Sequence, residues 1–89
     1  MTLDTIRFSG IDVDKEEIDK TLKQVYDAML EKRYNPVVQL CGYFYSREPV
    51  YITSHNGARA DLCKIDFYKV LERVVEVYLN TINNNTEEH

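Results

Sequence analysis

Tyr34-Asn35-Pro36 divides this chain more firmly than any other feature of its sequence. Proline disfavours a helical conformation at the residue before it, so a helix arriving from the amino-terminal side must end by residue 35. The same ring is preorganised for the first position of a new helix, and Asn35 is a good cap for that helix. The apolar spacing on the amino-terminal side also asks for a helix. Ile18, Leu22, Val25 and Met29 recur at i, i+4, i+7 and i+11 and share one face, and Tyr26 and Leu30 widen the stripe. Asp14 and Glu17 have the spacing of a capping box, and Val13 and Ile18 stand at staple positions, which predicts a helix over about 15–33.

After the proline, Val37, Val38, Leu40, Cys41 and Phe44 predict a short, mostly buried helix. Gly42 inside it predicts a close approach by another helix. Tyr43-Phe44-Tyr45 is a competing strand signal, because aromatic residues favour sheets, but the run is short and follows a good helix start. Pro49 closes the segment, and residues 49–53 read as extended, either a short strand or a packed loop. Ser54 is the expected cap of a third helix over about 55–64, with Ala58, Leu62 and Ile65 apolar and Asn56-Gly57 a poor start. Asp66 opens the last helix. Phe67, Val70, Leu71, Val74, Val77 and Tyr78 carry it to about residue 80, with Ile65 and Val70 as a staple. The expected fold is all-α, a compact bundle of about four short helices. A flexible amino-terminal arm over 1–13, one helical domain over 14–82 and a disordered tail over 83–89 complete the expectation.

Composition removes whole classes of function. The net charge is -4, so the chain repels a phosphate backbone on average. Short helices around Pro36 and Gly57 would permit a helix-turn-helix module, the alternative reading, but Arg59 and Lys64 do not make a basic recognition helix. No nucleic-acid partner is expected. No apolar run reaches the ~20 residues of a membrane span, and MTLDTIRFSG lacks the pattern of a signal peptide, so the reading is cytoplasmic with no membrane insertion. Three glycines leave no phosphate loop. Cys41 and Cys63, without a CxxC, and His55 and His89 do not compose a metal set, so no metal and no cofactor are expected. Both cysteines read as packing residues. His55 reads as a surface or capping residue rather than a general base, since no nucleophile accompanies it. No catalytic residue is assigned, and the chain is not read as an enzyme.

The remaining candidates are contact residues. Arg59 is suited to a carboxylate or phosphate of a partner, against a plain salt bridge to Asp61 or Asp66. Tyr34, Tyr43, Tyr45 and Tyr51 are polar-tipped rings of the kind enriched at interfaces, against a role in filling a small core. A core of this size yields only ~3–5 kcal/mol, and self-association is a common supplement, so a homodimer is expected. Before the first helix, Thr2 and Thr5 place two hydroxyls in a terminal stretch of the sort that modifying enzymes reach.

Asp4-Thr5-Ile6-Arg7-Phe8, Tyr34-Asn35-Pro36, Gln39, Gly42-Tyr43, Pro49, Tyr51-Ile52, Ala58-Arg59 and Tyr78-Leu79, in that order, resemble the IreB family, small cytoplasmic proteins of Gram-positive bacteria. The resemblance covers about residues 2–80 and is most specific over 34–59. It implies a helical homodimer that is a non-enzymatic regulator. It further implies phosphorylation by a transmembrane Ser/Thr kinase with external PASTA repeats, an unknown downstream protein partner, and a role in cell-wall stress and antibiotic resistance. The phosphorylated threonines fall on Thr2 and Thr5. Tyr34, Asn35, Pro36, Tyr43, Tyr51 and Arg59 are the expected partner or dimer contacts. Two departures stand out: a less charged stretch at 60–69, and Arg33 where the family usually has glycine.

Overall fold

The computed structural model describes the backbone of residues 8–87 and the side chains of residues 15–84. Among the described residues four α-helices follow one another: α1 (Phe8–Glu31), α2 (Pro36–Ser46), α3 (Ala58–Cys63) and α4 (Phe67–Glu87). Single 3-10 turns at Pro49–Tyr51 and His55–Gly57 join α2 to α3. Among the described residues there is no strand, and the all-α expectation holds.

Both long helices extend past their expected ends. The backbone of α1 is already helical at Phe8, so Asp14 lies inside the helix and does not cap it. The expected arm boundary at 13 and the expected tail boundary at 82 therefore both fall within helices. Residues such as Asp and Asn cost only a few tenths of a kcal/mol more than the better helix formers, so a polar stretch does not by itself end a helix. Thr2 and Thr5 lie outside the described residues, as does His89.

The other end of α1 stops where Pro36 requires. Arg33 takes the left-handed conformation (φ 62°), its amide donates to the Leu30 carbonyl at 3.0 Å, and the Tyr34 amide donates to the Met29 carbonyl at 2.9 Å. Those two bonds are a Schellman stop, a conformation that glycine takes without a steric penalty. Asn35 then caps α2: its Oδ1 accepts from the amides of Val37 (2.9 Å) and Val38 (3.1 Å). Pro36 occupies the first turn. α2 itself ends on a second left-handed residue, Arg47 (φ 66°), whose guanidinium lies 4.8 Å from the centre of the Phe67 ring.

The core forms where the four helices and the Ile52–Thr53 segment meet. Ile18, Val25 and Met29 of α1 are buried as their spacing requires, together with Thr21 and Ala28. Tyr26 and Leu30 do not widen the stripe; each is 48% exposed. Ala58 and Leu62 from α3 and Val70 from α4 close the centre, with Ile65 packed against them. Tyr43, Phe44 and Phe67 form an aromatic triangle with centroids 5.2–6.0 Å apart.

Gly42 has the packing role its position suggests, but the neighbour is a turn rather than a helix. A Cβ there would sit 2.7 Å from Cδ1 of Tyr51. Residues 49–53 are accordingly a 3-10 turn followed by extended residues, packed rather than paired. Ser54 does not cap the third helix; Thr53 Oγ1 accepts the His55 amide at 3.2 Å instead. Asn56 and Gly57 make the turn by both entering the left-handed region (φ 54° and 74°). Asp66 does cap α4, its Oδ2 accepting the Lys69 amide at 3.3 Å.

Candidate protein-interaction surface

α2 was expected to be mostly buried, and it is not. Only Tyr43 is buried, while Leu40 and Phe44 pack partly against the core. Val37, Val38 and Tyr45 are exposed, Tyr45 almost fully at 94%, and Cys41 is exposed with them. The reason lies in the spacing. Val37, Val38, Cys41 and Tyr45 stand at i, i+1, i+4 and i+8 of α2, so they form a stripe of their own, with Tyr34 just ahead of the helix. It lies on the side of α2 away from Tyr43 and faces solvent. A helix that is apolar on both sides but touches its own domain on one leaves the second side for something else.

The contact residues named from the sequence divide around this stripe. Tyr34 is 44% exposed at its head, and Asn35 and Pro36 start the helix that carries it. Tyr51 is 47% exposed, its ring laid over Gly42. Tyr43 is a correction, for at 4% exposure it fills the core and offers no surface to a partner. Burial also pushes the Tyr43 hydroxyl above its ordinary pKa. Arg59 is half-buried and pairs with neither Asp61 nor Asp66. Its Nε donates to the Ile52 carbonyl at 2.8 Å, while Asp61 takes Lys64 at 3.5 Å and Gln24 at 3.2 Å. Arg59 thus braces the extended Ile52–Thr53 segment against α3. Thr2 and Thr5 lie outside the described residues, so their setting stays an expectation from sequence.

Cys41 and Cys63 are both exposed free thiols, which corrects the packing role expected for them. His55 behaves as a surface residue: its Nε2 lies 2.8 Å from Glu31 Oε1, which also accepts from Asn56 Nδ2 at 3.4 Å. Three polar groups thereby tie the His55–Gly57 turn to the end of α1. Among the described residues no group of three or more His, Cys, Asp or Glu side chains gathers to hold a metal ion. A cleft of about 210 Å³ lies between Ile18, Ile65 and the charged side chains of Glu17, Lys64, Asp66 and Lys69.

One cluster has no counterpart in the sequence reading. Arg73 of α4 donates to both oxygens of Asp19 on α1, from Nε at 2.7 Å and from Nη2 at 2.8 Å, and from Nη1 to Glu76 at 3.0 Å. Lys15 Nζ reaches the other oxygen of Glu76 at 2.9 Å. The Arg73 hydrogen bond holds the Asp19 carboxyl below its ordinary value, and Lys15 and Arg73 do the same for Glu76. The Asp19 bonds in turn raise the Arg73 guanidinium further above its already high value. Only the i,i+3 pair Arg73/Glu76 was visible locally; its partners on α1 are more than fifty positions away.

No helix among the described residues is long and apolar enough to cross a membrane. Residues 4–80 match the family described as IreB regulatory phosphoprotein. A UPF0297 protein of Clostridioides difficile (strain 630) is 43% identical over 76 residues, spanning 85% of this chain and 89% of that protein. A match over nearly the whole helical bundle, together with a relative this similar over most of both lengths, shows that the chain belongs to the IreB family.

Proposed function

We propose that this protein is a non-enzymatic cytoplasmic regulator that acts through protein–protein contacts as a homodimer and is controlled by phosphorylation of Thr2 and Thr5. The modifying enzyme is a transmembrane Ser/Thr kinase with PASTA repeats, and the setting is cell-wall stress and antibiotic resistance. The family description supports the regulatory phosphoprotein part of this reading. The observation that carries the contact part is the solvent-facing stripe of Val37, Val38, Cys41 and Tyr45 on α2, with Tyr34 ahead of it and Tyr51 beside it. Exposed apolar side chains gathered on one helix face mark a surface that gains by being covered.

Phosphates on two threonines would take the charge from -4 to roughly -7 to -8. They would add strong acceptors just ahead of α1, a change able to recruit an arginine-bearing partner or to loosen a contact. The test is incubation of the full chain with a PASTA-type kinase and ATP, followed by phosphosite mapping by mass spectrometry. Label on Thr2 and Thr5, absent from the Thr2→Ala, Thr5→Ala double variant, is expected. An unlabelled wild-type chain overturns the phospho-regulatory half of the proposal.

A further inference from the structure

Two helices are apolar on both sides. α4 buries Val70 and shows Tyr68, Val75 and Tyr78 to solvent, while α2 buries Tyr43 and shows Val37, Val38, Cys41 and Tyr45. The outer face of α2 is set apart by its charges. Three of the chain's 11 Lys and Arg fall within residues 32–47, and none of its 15 Asp and Glu do. That stretch is cationic in a chain whose net charge is -4. The three cations stand at its two ends. Lys32 and Arg33 precede the helix, Arg47 follows it, and all three are exposed. Residues 34–46 between them carry no charged side chain. Among the described residues none of the three pairs with a carboxylate, and Arg47 meets the Phe67 ring instead. Of the two bordering carboxylates, Glu31 is turned to His55 and Asn56, and Glu48 is exposed beside Arg47.

We propose that the outer face of α2 docks an amphipathic helix of another protein, one whose apolar stripe is flanked by acidic residues at both ends. This rests on the contact reading of the same stripe given above and names the chemistry of its partner. The charges select the acidic ends, because complementary charge around an apolar centre guides encounter and rejects like-charged partners. The shape selects a helix. A docked strand needs a free sheet edge, and there is no strand among the described residues, whereas the ridges of one helix pack into the grooves of another. α2 has 11 residues and is about 16 Å long, so about three turns of partner helix cover it. Tyr34, Tyr45 and Tyr51, at 44%, 94% and 47% exposure, offer about 400 Å² between them. Val37 and Val38 add to this, and the patch passes the few hundred Å² that a monomer ordinarily leaves bare. An anionic bilayer shares these chemistries, but its charge extends over a wide plane and repels the acidic remainder of the chain.

The probes are two alanine-based helical peptides with leucines at i, i+3, i+4 and i+7, one carrying two glutamates at each end and its twin two lysines. Fluorescence anisotropy reads their binding to the full chain, with circular dichroism on every variant. The glutamate peptide is expected to bind about tenfold tighter than its twin, as several exposed charge pairs acting together allow. High salt is expected to narrow that gap. The double variant Lys32→Glu, Arg33→Glu is expected to erase the preference at unchanged helicity, and Val38→Glu to abolish binding of both peptides. If Val38→Glu loses helicity, Tyr45→Glu at its almost fully exposed position takes its place. Equal binding of the two peptides by wild type, or binding of neither, overturns the acidic-helix partner and leaves the contact stripe standing. Binding that neither Val38→Glu nor Tyr45→Glu weakens removes the stripe as a contact surface, and both readings fall. Pelleting of the chain with phosphatidylglycerol vesicles that Val38→Glu abolishes would assign the face to a membrane, and a fall in solution mass in Val38→Glu would assign it to a second copy. Either result overturns the proposal.

Discussion

Arg73 grips Asp19 through two hydrogen bonds of 2.7 and 2.8 Å and so fastens the last helix to the first. The pair is bidentate, the strongest geometry open to a guanidinium and a carboxylate. About half of the Asp19 side chain is exposed, so solvent screening holds its contribution to about 1 kcal/mol or less. Asp19 and Glu76 both have folded pKa values below their ordinary ones. Their contribution is thus fully present above the ordinary carboxylate range near pH ~4 and is lost as pH falls through the depressed folded values. Acid titration of stability should show a decline below pH ~4 that is shallower in Asp19→Asn, and 0.5 M salt (about half the screening length of 0.15 M) should shrink the difference between the two chains.

Gly42→Ala separates helix propensity from packing. In a helix interior alanine is better than glycine by about 1 kcal/mol. Here the new Cβ would meet Cδ1 and Cγ of Tyr51 at 2.7 and 3.0 Å, atoms near the base of the ring that cannot swing aside alone. Overpacking of this kind costs about 1–3 kcal/mol, so the substitution is expected to destabilise. In a Tyr51→Ala background the clash is gone and the same substitution should stabilise. Denaturant titration of the four chains of this cycle reads the change of sign.

Arg33→Gly is expected to stabilise. The left-handed Arg33 bears the steric cost of a Cβ at positive φ, and glycine does not. Glycine's greater freedom in the unfolded chain offsets part of the gain, leaving about 0.5–1 kcal/mol, or a few degrees in Tm.

Asn35→Ala removes the acceptor for the amides of Val37 and Val38 and should cost about 1 kcal/mol. Asn35→Asp keeps an acceptor and should cost much less. Because Asn35 sits at the head of the exposed stripe, the alanine variant should also lower amide protection selectively in α2, which hydrogen exchange would read.

Much of this architecture was legible in short-range chemistry. Pro36 with Asn35, Asp66 ahead of α4, and the Ile18/Val25/Met29 face each act within a turn or two, so spacing alone locates them. What spacing does not say is which of two apolar faces turns inward. α2 and α4 are apolar on two sides, and the inward one is set by what the rest of the chain brings up to it. Val37, Val38 and Cys41 were therefore read as mostly buried when they are exposed. The bond Arg59 makes was not legible for a related reason: its acceptor is the Ile52 main-chain carbonyl, which no side-chain pattern advertises. The clasp between Asp19 and Arg73 depends on the packing of helices far apart in sequence, and has no local signature.

The regulatory account is tested most directly in the cell, by intact-mass and peptide mapping of this protein taken from growing cells with and without the transmembrane kinase. Phosphate on Thr2 and Thr5 that appears only when the kinase is present is the predicted result. A chain unmodified in both strains, or equally modified in both, would contradict it.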